Sequence, residues 1–455
     1  NTLNFKSLYI LFLRDWIYYQ KQIYKHSFHS LTLTIMDNIK IIVSHPGKQH
    51  SFQTATAMER TGILQYYVTS VYNKRGSITS LISKIAKGDL KKKLSTRFCS
   101  SISENKVKQI NEIFVVITLF LNRFPLLNYF TENWNFFVES LFYKKLMKFV
   151  KKESPDAIII YNGSSNKHLK ELDNTRIVKI MDMSIAKREY IHDILQKEID
   201  ETGLKEIRKM HMSYWDEKMI RNDKEGCNMV DYFLVPSHFV ELSLLSNGIS
   251  REKIKLVPYG VDIKMFSYKE RKRKDDILRI IYVGNISYRK GSHRLLQVVS
   301  EIDGVELFLA GTYDKNSSLY TNYSGIKNIH FMGFITRDKL NDLYNQCDIF
   351  ILPSLCEGMA MVGLEAMATG LPLLCTYYSG VNDVIENGIN GFVYNANKND
   401  ELKHHIIWFK NNMDKISEMS KCARETSLRY SWDIYQKNVS KAILECIKEK
   451  KILRS

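Results

Sequence analysis

The feature that most constrains this chain is a recurring unit: a short apolar, β-branched run, then a loop of small polar residues, then helical spacing. Residues 39–43 (IKIIV), 157–161 (AIIIY), 177–181 (IVKIM), 279–283 (RIIYV), 305–310 (VELFLA) and 349–352 (IFIL) all show it. Runs that are apolar throughout, rather than alternating, belong to strands covered on both faces, which is the condition of a parallel sheet between helices. Such an α/β sheet binds its ligands in the loops at the carboxyl ends of the strands. At 455 residues the chain exceeds what one core serves, so two Rossmann-like domains facing a cleft are expected. The charged, apolar-poor stretch 267–276 marks a linker. A last helix is expected at 434–448, and 1–35 is an uncertain N-terminal extension.

The most informative of these units is 349–376. After the run Ile349-Phe350-Ile351-Leu352 comes PSLCEGMAMVGLEAMATGLPLLCT, in which helical spacing resumes at Met361, Leu364, Met367 and Ala368 and ends at Gly370 and Pro372. The loop 355–359 therefore opens a helix, whose free N–H groups attract anions. Glu357 and Glu365 frame the turn with seven residues between them. A carboxylate accepts two hydrogen bonds from a vicinal diol, each charged bond being worth ~1.5–3 kcal/mol, and sugars and riboses are vicinal diols. Two glutamates alone would be read as a helix-dipole partner and a solvated face; the residues around them decide otherwise.

The pattern PS-x-x-EG-x(6)-EAMA-x-G-x-P resembles the nucleotide-sugar signature of family 4 retaining glycosyltransferases with the GT-B fold. The segments Ser379-Gly380-Val381-Asn382-Asp383 and Gly388-x-x-Gly391-Phe392-Val393 are similar to the family's next segment, Pro258-Tyr259-Gly260-Val261-Asp262 to its crossing between domains, and Tyr430-Ser431-Trp432 to its closing pattern. The resemblance thus implies a first domain at 36–258, a second at 259–430, and a helix within 431–455 that crosses back to the first. The resemblance implies that Glu357 holds the donor sugar and Glu365 the ribose. It further implies that Gly358, Met359 and Ala360 give amides to sugar hydroxyls, with Met361 and Val362 completing that wall. After 279–283, Gly284-Asn285-Ile286-Ser287-Tyr288-Arg289-Lys290-Gly291 matches the family's diphosphate loop at Lys290. Asn285 stands where the family has an arginine, and Arg289 is the neighbouring substitute. Gly333 and Phe334 would border the base. The implied reaction moves a hexose from a nucleoside-diphosphate sugar to a hydroxyl acceptor with retention, Arg289, Lys290 and Glu357 acting at the bond that breaks. It needs no cofactor beyond the donor and no metal.

In the first half, 39–43 feeds Ser44-His45-Pro46-Gly47-Lys48-Gln49-His50. His45, Gly47, Lys48 and His50 are acceptor-side candidates, in a histidine-rich loop that departs from the family's glycine-rich one. Taken singly, each is equally a surface residue beside a helix start. Other loops end in Asn162-Gly163-Ser164-Ser165 and Asp182-Met183-Ser184. His192, on the helix after the second of these, is a further acceptor candidate.

The formal net charge of +17 favours polyanionic partners or phosphate-bearing substrates. No zinc-finger or RNA-recognition spacing points to nucleic acid, so a nucleotide sugar and a saccharide or lipid-linked acceptor are the expected partners. Seven scattered cysteines without a C-x-x-C pair suggest reduced thiols in the cytosol. The longest apolar runs fall short of the ~20 residues of a membrane-spanning helix. The aromatic and basic stretch 114–152 instead suggests peripheral attachment to an anionic membrane surface at the inner face. Two other functions fit the same residues: a non-catalytic polyanion-binding protein, and a sugar phosphorylase of the same fold.

Overall fold

The computed structural model describes residues 39–121, 128–163, 166–270 and 275–453. The extension 1–35, Phe124, Ser164, Ser165 and the basic run 271–274 lie outside them. Ile41–Ser455 forms one compact unit, and it contains two wholly parallel sheets. The first comprises β1 (Ile41–Ser44), β2 (Leu64–Thr69), β3 (Val107–Gln109), β4 (Ala157–Tyr161), β5 (Val178–Asp182), β6 (Tyr232–Val235) and β7 (Ile254–Leu256), in the order β3-β2-β1-β4-β5-β6-β7. The second comprises β8 (Leu278–Val283), β9 (Val305–Ala310), β10 (Ile329–Gly333), β11 (Ile349–Leu352), β12 (Leu373–Thr376) and β13 (Gly391–Tyr394), in the order β10-β9-β8-β11-β12-β13.

Every residue of β1, β4, β5, β6, β11 and β12 is buried. This explains their largely apolar sequence, since helices cover both faces; the charged exceptions, Lys179 and Asp182 in β5, are paired with Asp173 and His50. One such cover is Asn128–Glu153, whose Phe142, Leu146, Met147 and Val150 pack with Ile158, Ile160 and Phe233. Strand order reverses between β1 and β4 in one sheet and between β8 and β11 in the other. At such a reversal adjacent loops diverge and leave a crevice at the carboxyl edge. The loops after β1, β8 and β11 are the ones singled out in the sequence.

The last helix, Trp432–Ile452, is longer at both ends than expected and starts where the Ser431 hydroxyl accepts from the Ile434 amide at 3.3 Å. It lies on the first-domain helix Ser51–Arg60, where Tyr435 and Thr54 hydroxyls are 2.8 Å apart and Arg60 reaches Asp433 at 2.7 Å.

A second tie joins the two halves. Glu198, on the first-domain helix Arg188–Thr202, is 1% exposed and accepts from His293 Nε2 (2.7 Å), Arg294 Nε (2.7 Å) and Arg294 Nη2 (3.0 Å) on the helix Ser292–Ser300. Burial alone would raise the Glu198 carboxyl pKa, but His293 and Arg294 outweigh it and hold the pKa below the usual value. A carboxylate with a depressed folded-state pKa stabilises the fold above its unfolded pKa, about 4.3, and loses that contribution as pH falls through the folded value. Removing one member of a buried pair costs up to about 3–5 kcal/mol. Glu198→Ala should therefore lower stability to denaturant at pH 7 and flatten its decline below about pH 4.3; unchanged unfolding curves would show that this tie carries no weight.

Candidate functional site

The loop after β8 is folded back on itself. The Lys290 amide donates to Ser287 O at 3.2 Å and the Gly291 amide to Tyr288 O at 2.8 Å. Gly291 has φ 68°, and a Cβ there would lie 1.8 Å from Pro353 O, so only glycine lets this loop touch the loop after β11. The two loops are then joined by the Leu355 amide donating to Arg289 O (2.9 Å) and Arg289 Nη1 donating to Cys356 O (2.7 Å). This brings Arg289 Nη1 to 3.3 Å from Glu357 Oε1 and puts Lys290 Nζ in direct contact with the same oxygen. Burial alone would raise the Glu357 carboxyl, but Lys290 and then Arg289 pull its pKa below the usual value. Burial would lower Arg289, and Glu357 more than reverses this. Asn285 is exposed, its amide oxygen accepting from Thr312 Oγ1 at 3.2 Å, while Arg289 brings a second cation to the Lys290 side of the turn.

The loop after β12 supports the Glu357 loop from beneath. The Glu357 amide donates to Tyr378 O at 2.9 Å and the Ala360 amide to Ser379 O at 3.2 Å. This corrects one expectation: the Ala360 N–H is committed within the protein and does not face a sugar hydroxyl. Gly358 and Met359 are also engaged, but not through their amides, since Ser237 Oγ donates to Gly358 O and the Tyr259 amide approaches Met359 Sδ at 3.3 Å. Glycine is required at 358, where a Cβ would lie 1.9 Å from Ser184 O. The helix Met361–Ala368 starts one turn beyond Glu357, with Met361 and Val362 half-buried at its head.

Glu365 is buried in that helix and paired with Arg337. Burial raises its pKa, Arg337 only partly opposing this. Gly333 and Phe334 follow β10, and the Phe334 ring is 75% exposed.

On the first domain, His45 Nδ1 accepts from the Gly47 amide at 2.7 Å. Burial, then the charge of His50, lowers its pKa to about 4, so the ring is neutral at pH 7. Lys48 is half-buried at the same crevice. His50 departs from the surface reading: it is 6% exposed, bonded through Nε2 to Asp182 Oδ2 at 2.8 Å, and packed 4.2 Å from the Tyr259 ring centroid. Its place is beneath the crossing between domains. His192 is half-buried, beside Asp193 and Trp215.

Sequence reasoning missed His211, Tyr214 and Arg337. His211 Nε2 accepts from the Arg289 amide at 3.2 Å, and burial followed by the Arg289 charge lowers its pKa to about 4. Tyr214, largely buried, lies close enough to Arg289, Cys356 and Glu357 to feel their charge. No motif marks the 206–215 segment, whereas Arg337 had a readable cue in its place at the head of the helix after the Gly333-Phe334 loop. Among the described residues no group of three His, Cys, Asp or Glu is gathered as a metal site.

Two Rossmann-like sheets with their reversal points turned to one another are the GT-B arrangement. Consistent with this, Anabaena HepE in complex with UDP superposes with a TM-score of 0.59 at 15% identity, covering 90% of this chain and 100% of that one. In sequence, residues 264–426 match the family described as Glycosyl transferases group 1. An uncharacterized glycosyltransferase of Methanocaldococcus jannaschii is 27% identical over 230 residues, 45% of this chain and 55% of that protein. An O-antigen biosynthesis glycosyltransferase of Escherichia coli is 30% identical over 166 residues, 36% of this chain and 45% of that protein. The chain spans about half the length of the relatives it matches.

Replacing Gly291 by alanine adds a left-handed non-glycine residue, costing about 1–3 kcal/mol, to the clash with Pro353 O. Gly291→Ala should lower stability in denaturant titration by at least this amount; wild-type stability would mean that the two loops do not need their close approach.

Proposed function

We propose that this chain is a retaining glycosyltransferase that moves a hexose from a nucleoside-diphosphate sugar to a hydroxyl acceptor in the synthesis of a cell-surface polysaccharide or glycolipid. The observation that carries this reading is the contact of Lys290 and Arg289 with Glu357 at the β8/β11 reversal. Two cations offset the charge of a diphosphate, and a carboxylate between them and the crevice grips a sugar diol. UDP in HepE and the O-antigen role of the E. coli relative support the donor class and the product class.

In the reaction the bond between the anomeric carbon and the diphosphate oxygen breaks, its electron pair staying on the diphosphate. Arg289 and Lys290 stabilise that growing charge. The acceptor oxygen bonds to the anomeric carbon on the face the diphosphate leaves, and the acceptor proton passes to the departing diphosphate oxygen. Glu357 orients the sugar, and Glu365, released from Arg337, accepts the ribose hydroxyls. The free chain holds Glu357 on Lys290 and Glu365 on Arg337, so the donor replaces ion pairs already aligned in the site.

The membrane reading has its own support. Ile113, Ile117 and Phe137 are exposed on helices Glu112–Leu121 and Asn128–Glu153, and the second also exposes Lys144, Lys145 and Lys148. Each basic residue near an anionic surface adds about 1 kcal/mol. Among the described residues no helix is long and apolar enough to cross a membrane.

With a donor identified by testing a panel of nucleotide sugars for turnover and for protection against thermal unfolding, Glu357→Ala and Lys290→Ala should each cut transfer more than tenfold. That corresponds to losing over ~1.4 kcal/mol in the transition state; wild-type rates in either variant would remove the assignment. The protein should also sediment with phosphatidylserine-containing vesicles at low salt, and a protein left wholly in the supernatant would remove the membrane partner.

A further inference from the structure

A cluster of cations on the first-domain wall of the crevice has no counter-ion among the described residues. Arg97 is fixed through its main chain, its amide donating to Leu94 O at 3.0 Å and its carbonyl accepting from Asn73 N at 2.8 Å. Its Nη1 is buried, has no hydrogen-bond partner, and lies 3.7 Å from where a Cβ on Gly47 would be. Two hydroxyls at the same edge, Ser44 Oγ at the end of β1 and Ser70 Oγ just past β2, are likewise buried without a partner. The Lys48 ammonium lies 5.6 Å from the Phe52 ring centroid and forms no ion pair. Burial, then the like charges of Arg97 and Arg337, holds Lys48 below its usual pKa. Burial also lowers Arg97, and only the Tyr67 phenol opposes it.

A buried guanidinium N–H without an acceptor is destabilising, and an anion placed between these cations would relieve both that cost and their repulsion. Gly47 leaves this edge open, since a Cβ there would crowd the His45 ring at 3.2 Å and stand in van der Waals contact with Arg97 Nη1 at 3.7 Å. We propose that Arg97 and Lys48, at the Gly47 edge, form a phosphate-binding site that receives an anionic group carried by the acceptor. The site rests on the transferase reading for its role, though not for its chemistry. The same cations could take the donor's own diphosphate, and the experiment separates the two sources.

Inorganic phosphate is titrated calorimetrically, at constant ionic strength, into the full chain and into Arg97→Gln, Lys48→Gln and Lys290→Gln. The wild type and the first two variants are repeated with saturating UDP. Phosphate binding that persists in Lys290→Gln and in UDP-saturated wild type, and weakens at least fivefold in Arg97→Gln and Lys48→Gln, is the expected result. Binding that is unchanged in those two variants overturns the site, as does binding displaced by UDP, which would assign the cations to the donor. Failure of the transferase reading shows separately, as absence of UDP binding with the Arg97-dependent phosphate site intact. Lys48→Gln keeps the test valid if Arg97→Gln does not fold.

Discussion

The site depends on one contact between opposite charges: Lys290 and Arg289, from the loop after β8, meet Glu357, from the loop after β11. The strands lie side by side, but the loops approach this closely only because Gly291 places no Cβ against Pro353 O. Burial disfavours the ionised forms of both the acid and the arginine, and each restores the other. For the donor proposed above, the diphosphate would take the acid's place on the two cations, and the freed carboxylate would accept hydrogen bonds from a neutral sugar diol.

Around the Glu357 loop itself the first domain contributes neutral groups. His211 accepts from the Arg289 amide, Ser237 donates to Gly358 O, and Ser184 O lies against Gly358. Groups of this kind fix loop geometry without adding charge beside Glu357. The strong interdomain charge pairing is placed elsewhere, at Glu198 with His293 and Arg294, and His50 with Asp182 sits beneath the domain crossing under Tyr259. The halves are thus held together away from the chemistry, which leaves the crevice to its ligands.

Much of the second domain was legible because strand end, loop and helix start fall within one short stretch. Local spacing places Glu357 and Lys290 in loops at strand ends and starts the helix at Met361, while the roles of the two residues come from the family resemblance. Strands β2, β3, β12 and β13 gave no such signal. LQYYVT is partly polar, VKQ is three residues long, LLCT runs on from Pro372, and GFVY opens on a glycine. Contacts that depend on distant segments were hidden for a different reason. Nothing near His50 announces Asp182, nothing near Arg289 announces His211, and the commitment of the Ala360 amide to Ser379 appears only once β12 is in place. Nothing near Arg97 in the chain announces that its guanidinium turns inward beside Gly47.

The most direct test of the central contact is a crystal structure of the chain with a bound nucleoside diphosphate sugar. The diphosphate should lie on Arg289 and Lys290, with the Lys290–Glu357 contact opened and Glu357 on the sugar hydroxyls. A donor bound elsewhere, with that contact still closed, would contradict it.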